Sequence, residues 1–339
     1  MSLISYTVKR ILSMIVVMFG ALTLTFVLSR FMPGDPVLAY LPQNKPNPQL
    51  YAYYTRLLGL DRPIWEQYFR YIGDLFTGNW GFSVSIAKDM PVWTLIMQRL
   101  PRTVDITILS VVIASFLGIK FGIISAKHRN KTRDAFFRGL SLVGVAVPVF
   151  FLGMLLQYFF AYQLKWFPGT GFKTREFPDP AFVTGFRVID ALISRELYII
   201  FDYLYHLVLP VFCLSFISLA GIVRQTRSSM LEVLEQDYIR TARAKGCRER
   251  DVINTHAKKN AMIPTVTIIG LSFAGLLAGA VLTETTFDLK GVGQLLVDAI
   301  VRSDYWVLNG LVFFFTIVFV VANLLVDLLY GVLDPRIRY

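Results

Sequence analysis

The residues of this chain that could do chemistry are few and far apart. His128, His206 and His256 are its three histidines, scattered too widely to suggest a metal cluster. There is no H-E-x-x-H and no paired C-x-x-C. No G-x-x-x-x-G-K-[ST] loop occurs, so the chain has no P-loop to cradle the phosphates of ATP. Cys213 lies in an apolar run and Cys247 in a polar segment, and a disulfide between them is not expected in a reducing compartment. A proton-driven carrier places ionisable groups deep in its apolar sequence. Here the apolar runs hold only Arg30, Asp105, Lys120 and Asp327, set toward their ends, where the basic side chains can snorkel to water. No catalytic residue can be named, and no metal or organic cofactor is expected in the chain itself.

One polar segment, residues 224–259, is patterned for a mechanical task. Leu231, Leu234, Tyr238 and Ala242 fall at i, i+3, i+7 and i+11, one stripe of a helix. Gly246 interrupts the pattern, and Val252, Ile253, His256 and Ala257 begin a second amphipathic stretch that returns to apolar sequence at Asn260 and Pro264. The segment reads as helix, glycine turn, helix. Residue pattern alone leaves two readings open. One is a solvated connection whose stripe rests on its own bundle or on the membrane interface. The other is a stiff knob that fits a groove on a separate protein.

The elements that must position this elbow follow from composition. The 339 residues are 55% hydrophobic and 17% charged, against about 25% charged in a soluble domain. With a mean hydropathy of +0.55, the chain is expected to be an integral membrane protein. Six runs are long enough for the roughly 20 helical residues that cross a bilayer: 11–31, 103–126, 139–164, 203–223, 260–283 and 305–327. Their length, without barrel-strand alternation, predicts an all-α membrane protein of six transmembrane helices. The first run outlasts a typical signal-peptide core and ends in Arg30-Phe31-Met32-Pro33-Gly34, without a small-x-small cleavage site. Gly118-x-x-x-Gly122 and Gly275-x-x-x-Gly279 have the spacing that lets helix backbones approach, although such glycines are also ordinary in membrane helices. Pro148 and Pro210 should kink or locally unwind their spans.

Charge sets the topology. Segments 1–10, 127–138, 224–259 and 328–339 hold 18 Lys and Arg against 7 Asp and Glu, whereas segments 32–102, 165–202 and 284–304 hold 14 of each. The whole net charge of +11 therefore lies on one set of loops, which the positive-inside rule assigns to the cytoplasm together with both termini. The basic excess is a topology signal, and no nucleic-acid partner is expected. The 32–102 segment is too long for a simple connection and is expected to pack as a small extracytoplasmic scaffold. Residues 165–202 form a second outer loop, opened by interfacial aromatics from Trp166-Phe167 onward. The chain divides into no separate soluble domains, so residues 1–339 read as a single transmembrane domain.

Asp237-Tyr238-Ile239-Arg240-Thr241-Ala242-Arg243-Ala244-Lys245-Gly246 resembles the E-A-A-x-x-x-G coupling loop of ABC importer permeases, in the version of the dipeptide/oligopeptide subfamily. Arg240-Thr241-Ala242 stands for the first triplet, and Gly246 matches the glycine. The I-x-L-P continuation is replaced by His256-Ala257-Lys258-Lys259, and the later proline of the subfamily appears as Pro264. The resemblance spans the chain. It takes in Pro33-Gly34-Asp35-Pro36, Leu58-Gly59-Leu60-Asp61-Arg62-Pro63, Gln67-Tyr68, Gly81-Phe82-Ser83 and Arg99-Leu100-Pro101-Arg102-Thr103. It continues through His206-Leu207-Val208-Leu209-Pro210, Glu284-Thr285-Thr286-Phe287, Asn323-Leu324-Leu325-Val326-Asp327 and Asp334-Pro335-Arg336-Ile337-Arg338-Tyr339. Lys290 departs from the family's usual proline before Gly291.

The resemblance implies the fold of a type I ABC importer permease in the cell membrane. Its expected partners are a second, homologous permease subunit, two cytoplasmic ABC ATPase subunits that hold ATP and Mg, and an extracytoplasmic substrate-binding protein. It also implies that Asp237, Tyr238, Arg240, Thr241, Ala242, Arg243, Ala244, Lys245 and Gly246 couple the chain to an ATPase. Peptides are the family's usual cargo, with oligosaccharides, glutathione and nickel chelates among relatives. The residues that would touch substrate are not legible. A secondary transporter, a passive channel and a membrane scaffold remain the alternatives, separable by whether an ATPase and a second six-span chain co-purify.

Overall fold

Each long apolar run folds into a helix, because in lipid only a helix or a closed barrel satisfies every backbone N–H and C=O. The computed structural model describes residues 3–31, 37–38, 41, 47–57, 59–277 and 280–333. Pro33-Gly34-Asp35-Pro36, Leu58, Gly279 and residues 334–339 lie outside the described residues, as does the side chain of Asp327. The order is α1 (Leu3–Phe31), α2 (Pro48–Leu57), α3 (Ile64–Phe76), α4 (Val92–Lys127), α5 (Thr132–Ala146), α6 (Val149–Leu156) with a π-helical continuation (Gln157–Gln163), and α7 (Arg187–Ile193). Then come α8 (Leu197–Leu234), α9 (Asp237–Ala244), α10 (Glu249–Asp251) with a π-helical stretch (Val252–Ala257), α11 (Lys258–Leu277), α12 (Val281–Phe287), α13 (Val292–Val301) and α14 (Tyr305–Leu333). The described residues form no strand, only an isolated bridge between Phe82 and Pro91.

The centre of the bundle is the parallel pair α4 and α8. Tyr203 meets Asp105 near one end, and Ile222 and Thr226 lie over Gly118 and Gly122 toward the other. A Cβ on Gly122 would sit 2.5 Å from the Thr226 Cβ, and one on Gly118 would sit 2.7 Å from the Ile222 Cγ2. The first small-residue pair is therefore a true helix contact. Gly275 is not: nothing lies within 4 Å of its would-be Cβ.

Among the described residues, five helices are long and apolar enough to cross a membrane unaided. The sixth crossing, expected as one helix over 139–164, is broken. α5 and the α6 segment meet at 102°. Pro148 has no N–H to continue the ladder, and Val147 before it is extended at φ −85° and ψ 122°. The pair still spans the bundle. Asp134 pairs with Arg227, Gly144 faces Ala220, the Cys213 thiol donates to the Val149 carbonyl, and the Tyr205 hydroxyl donates to the Trp166 carbonyl. These partners descend α8 from 227 to 205, a length of about 33 Å at 1.5 Å per residue. The protein is thus all-α with six crossings. By contrast α8 runs through Pro210 without a break. Phe116 and Leu142, 69% and 71% exposed, stand among many apolar side chains that these helices turn outward, as a lipid solvent requires.

Two expected boundaries shift. The fifth crossing ends at Leu277, and α12 is a separate helix. Residues 92–102 belong to α4, so the segment that folds onto the bundle end is shorter than 32–102. There Leu75 and Trp80 pack with Val92, Leu295, Leu311 and Phe313. Asp304 accepts hydrogen bonds from Ser83 Oγ at 2.7 Å and the backbone N–H groups of Val84 and Ser85 at 2.9 and 3.0 Å, pinning that segment to the start of α14. Nearby, buried Glu284 accepts from Thr103 Oγ1 at 2.6 Å and from the Gln294 N–H at 2.9 Å, tying α4, α12 and the start of α13. Lys290 sits at φ +55°, an angle proline cannot adopt, so this loop takes a shape that the family's usual residue would forbid.

Candidate coupling surface

The basic end of the bundle carries the elbow. α8 stops at Leu234. Gln236 is extended at φ −72° and ψ 151°, and α9 starts afresh at Asp237. This corrects the single stripe expected through Leu231, Leu234, Tyr238 and Ala242, because the break at Gln236 resets the helical phase. α9 buries Ile239 and Ala242, while Tyr238 turns outward at 39% exposed and its hydroxyl accepts from Asn260 Nδ2 at 2.8 Å. Residues 224–234 are helical as the pattern requires, but as the end of α8 rather than as part of a separate helix running on into 238–242.

The glycine turn is as the pattern requires. Gly246 lies at φ +79°, where a side chain would be strained. The Cys247 N–H bonds to the Ala242 carbonyl at 3.2 Å, and the Gly246 N–H bonds to that of Arg243 at 3.0 Å. This pair of bonds is a Schellman closure, which satisfies the carbonyls at the end of α9. Across the turn, the Arg243 guanidinium grips Glu249 with Nη2 to Oε1 at 2.9 Å and Nε to Oε2 at 3.2 Å. That bidentate clasp draws the Glu249 carboxyl below its ordinary range and raises Arg243 above its own.

Behind the turn is a solid apolar backing. Ile239 and Ala242 pack with Ala126 of α4, Met230 of α8, Val252, Ile253 and Ala257 of the π-helical stretch, and Ala261 of α11. A push on α9 thus bears on three crossings at once. The outward side holds Asp237, Tyr238, Arg240, Thr241, Arg243, Ala244, Lys245 and Gly246, all exposed. The nine predicted residues, which skip only Ile239, contribute to one projecting feature, but Ala242 belongs to the backing rather than to the outer surface. Sequence reasoning missed two members. Ile239 was hidden by the mis-phased stripe, and the Arg243–Glu249 clasp joins residues six apart, a spacing that no helical rule pairs. The Arg-x-x-Gly-x-x-Glu spacing about a glycine turn was the available signal.

An exposed, net-basic surface on an apolar mount binds no small molecule by enclosure. It suits contact with another protein. Residues 118–339 match the family described as binding-protein-dependent transport system inner membrane component, and residues 3–107 match the N-terminal region of such membrane components. The chain belongs to this family. Among its relatives are the di/tripeptide transport system permease protein DppB of Pseudomonas aeruginosa, 41% identical over 338 residues, and the dipeptide transport system permease protein DppB of Escherichia coli K12, 40% identical over 339 residues; both matches cover 99% of each chain. The oligopeptide transport system permease protein AppB of Bacillus subtilis is 36% identical over 335 residues, again 99% of each chain. In this family member the elbow lies inside the region matched by the main family description, as do five of the six crossings, the second only in part.

Proposed function

We propose that the chain is one permease subunit of an ATP-driven peptide importer and that the elbow is its transmission. It pairs with a second, homologous permease to enclose a pathway. Two separate ATPase subunits, which carry ATP and Mg, dock on the basic end, and an extracytoplasmic binding protein delivers di- to oligopeptides to the other. The basic end and both termini face the cytoplasm, as its excess of Lys and Arg favours. The chain supplies no catalytic group. ATP-driven closure of the ATPases moves the Gly246 elbow, and its apolar backing carries the motion to α4, α8 and α11 as a rigid-body, two-state change.

The observation that carries this reading is the build of the elbow: a Schellman turn, a bidentate clasp and, above all, an apolar core shared with three crossings. A soft projection would absorb the displacement it is asked to transmit. The test is peptide uptake into proteoliposomes. Uptake should require the second permease, the ATPases, the binding protein and ATP together. Accumulation by this chain alone, without nucleotide, would overturn the reading.

A further inference from the structure

At the end of the bundle opposite the elbow, α4, α7, α8 and the loop before α7 line a half-open cavity of about 280 Å³ that carries several charged side chains. Arg102 and Asp105 line it from α4, together with Tyr203, Phe172, Asp179 and Arg187. Most of its charges are already answered. Asp179 is paired with Arg187 and with Lys173, and Asp190 accepts from Thr184 Oγ1 and from the N–H groups of Thr184 and Gly185. Two are not. Among the described residues neither Arg102 nor Asp105 has an opposite charge within salt-bridge distance.

Arg102 donates to the Lys290 carbonyl at 3.0 Å and lies with its guanidinium 3.9 Å from the centre of the Phe172 ring, a stacking that fixes its plane. Asp105 accepts one bond, from the Tyr203 hydroxyl at 2.8 Å. Arg187 is only 7% exposed, and its Nε has no hydrogen-bond partner. The cavity thus holds an unpaired cation, an unpaired anion and an orphaned buried donor. Arg187 is withdrawn from water, so its unpartnered donor is costly, while Arg102 and Asp105 are partly exposed on the cavity wall and open to an incoming partner.

We propose that this cavity is a transit subsite for the charged termini of a short peptide, with Arg102 receiving the carboxylate and Asp105 the ammonium group. The proposal rests on the peptide-importer reading and adds a site to it. The two side chains are i and i+3 on one face of α4, with Cβ atoms about 5–6 Å apart. Two extended residues span about 7 Å, so a free dipeptide can present one terminus to each. The stacked guanidinium is set for a bidentate grip on a carboxylate. An acidic side chain from a docked protein would answer Arg102 and be repelled by Asp105, so the two-signed pair favours a zwitterion.

The experiment is a ligand-by-residue cycle on the assembled permease pair and its ATPases in nanodiscs, without binding protein. Binding of Ala-Ala, Ala-Ala amide and N-acetyl-Ala-Ala is measured by NMR saturation transfer or calorimetry. On the wild type each cap should weaken binding about tenfold, the worth of a charge-assisted hydrogen bond. In Arg102→Gln the amide penalty should vanish while the acetyl penalty stays, and Asp105→Asn should show the reverse. Arg102→Lys, which keeps the charge, should retain part of the amide penalty, and the wild-type ligand series stands even if a variant fails to fold. Equal binding of the three ligands to the wild type, or the same amide penalty in Arg102→Gln, would overturn the site. So would loss of binding-protein affinity in Arg102→Gln with Ala-Ala binding unchanged. ATP-driven uptake by the wild-type assembly reconstituted with its binding protein in proteoliposomes, measured in parallel, leaves the import reading standing in each of those cases.

Discussion

The elbow and the far cavity use charge in opposite ways. At the elbow the charges are outside. Arg240 and Asp237 are 71% and 95% exposed, Arg243 clasps Glu249, and the interior is Ile239, Ala242 and their apolar neighbours. In the cavity, Arg187 is buried and its pairing leaves one donor unused, and Arg102 and Asp105 face a common space, neither with a salt-bridge partner among the described residues. The contrast separates two kinds of work. A surface that must push on a protein gains from a dry, close-packed mount, and its exposed ion pairs contribute little energy. A site that must hold and release a small ion pair gains from charges kept inside and left open. The two lie at opposite ends of the parallel pair α4 and α8, so a motion entering at one end has a continuous packed path to the other.

The sharpest way to break this comparison is to cut that path. Gly122→Leu places atoms where Thr226 already stands, and the α4–α8 contact cannot close without moving a backbone. It should cost more than about 3 kcal/mol and abolish a cooperative thermal transition in detergent. Next comes the mount. Ile239→Ala empties a fully buried position and should cost about 3 kcal/mol, local to the elbow. Hydrogen exchange of the α9 amides should accelerate while α14 stays protected, and uptake should fall. Smaller still is Gly246→Val. Nothing crowds the site, so the penalty is that of φ +79° alone, about 1–2 kcal/mol. The expected result is a folded protein that spends more ATP per peptide imported.

The smallest effect belongs to the clasp. Glu249 is depressed in the folded protein, so its contribution is complete above the carboxylate's unfolded pKa of about 4.3 and is lost as pH falls through its lower folded value. Both partners are substantially exposed, so Arg243→Gln should cost under about 1 kcal/mol at neutral pH and nothing once Glu249 is protonated. Thermal melts of wild type and variant across that pH range check it.

Much of this was legible in sequence because the membrane enforces it. A run of about twenty apolar residues marks a crossing, Gly122 announces its close contact by spacing, and Gly246 marks a turn by its type. What escaped notice depends on phase and on distance along the chain. The apolar stripe misplaced Tyr238 because an extended Gln236 leaves no mark in hydropathy. At Pro148 a kink or local unwinding was expected but not its size, since how far α5 and α6 diverge depends on what they pack against in α8 and α12. The cavity could not be seen, because Arg102 and Asp105 are joined by residues 172–203, which reach them only through the fold.

Cys247 offers the most direct test of the elbow as a docking surface. It is exposed and follows Gly246 directly, while Cys213 is buried and serves as the internal control. Maleimide labelling of Cys247 should be fast on the isolated chain, blocked in the assembled transporter with its ATPases, and altered again when ATP is added. Equal labelling with and without the ATPases would contradict the account.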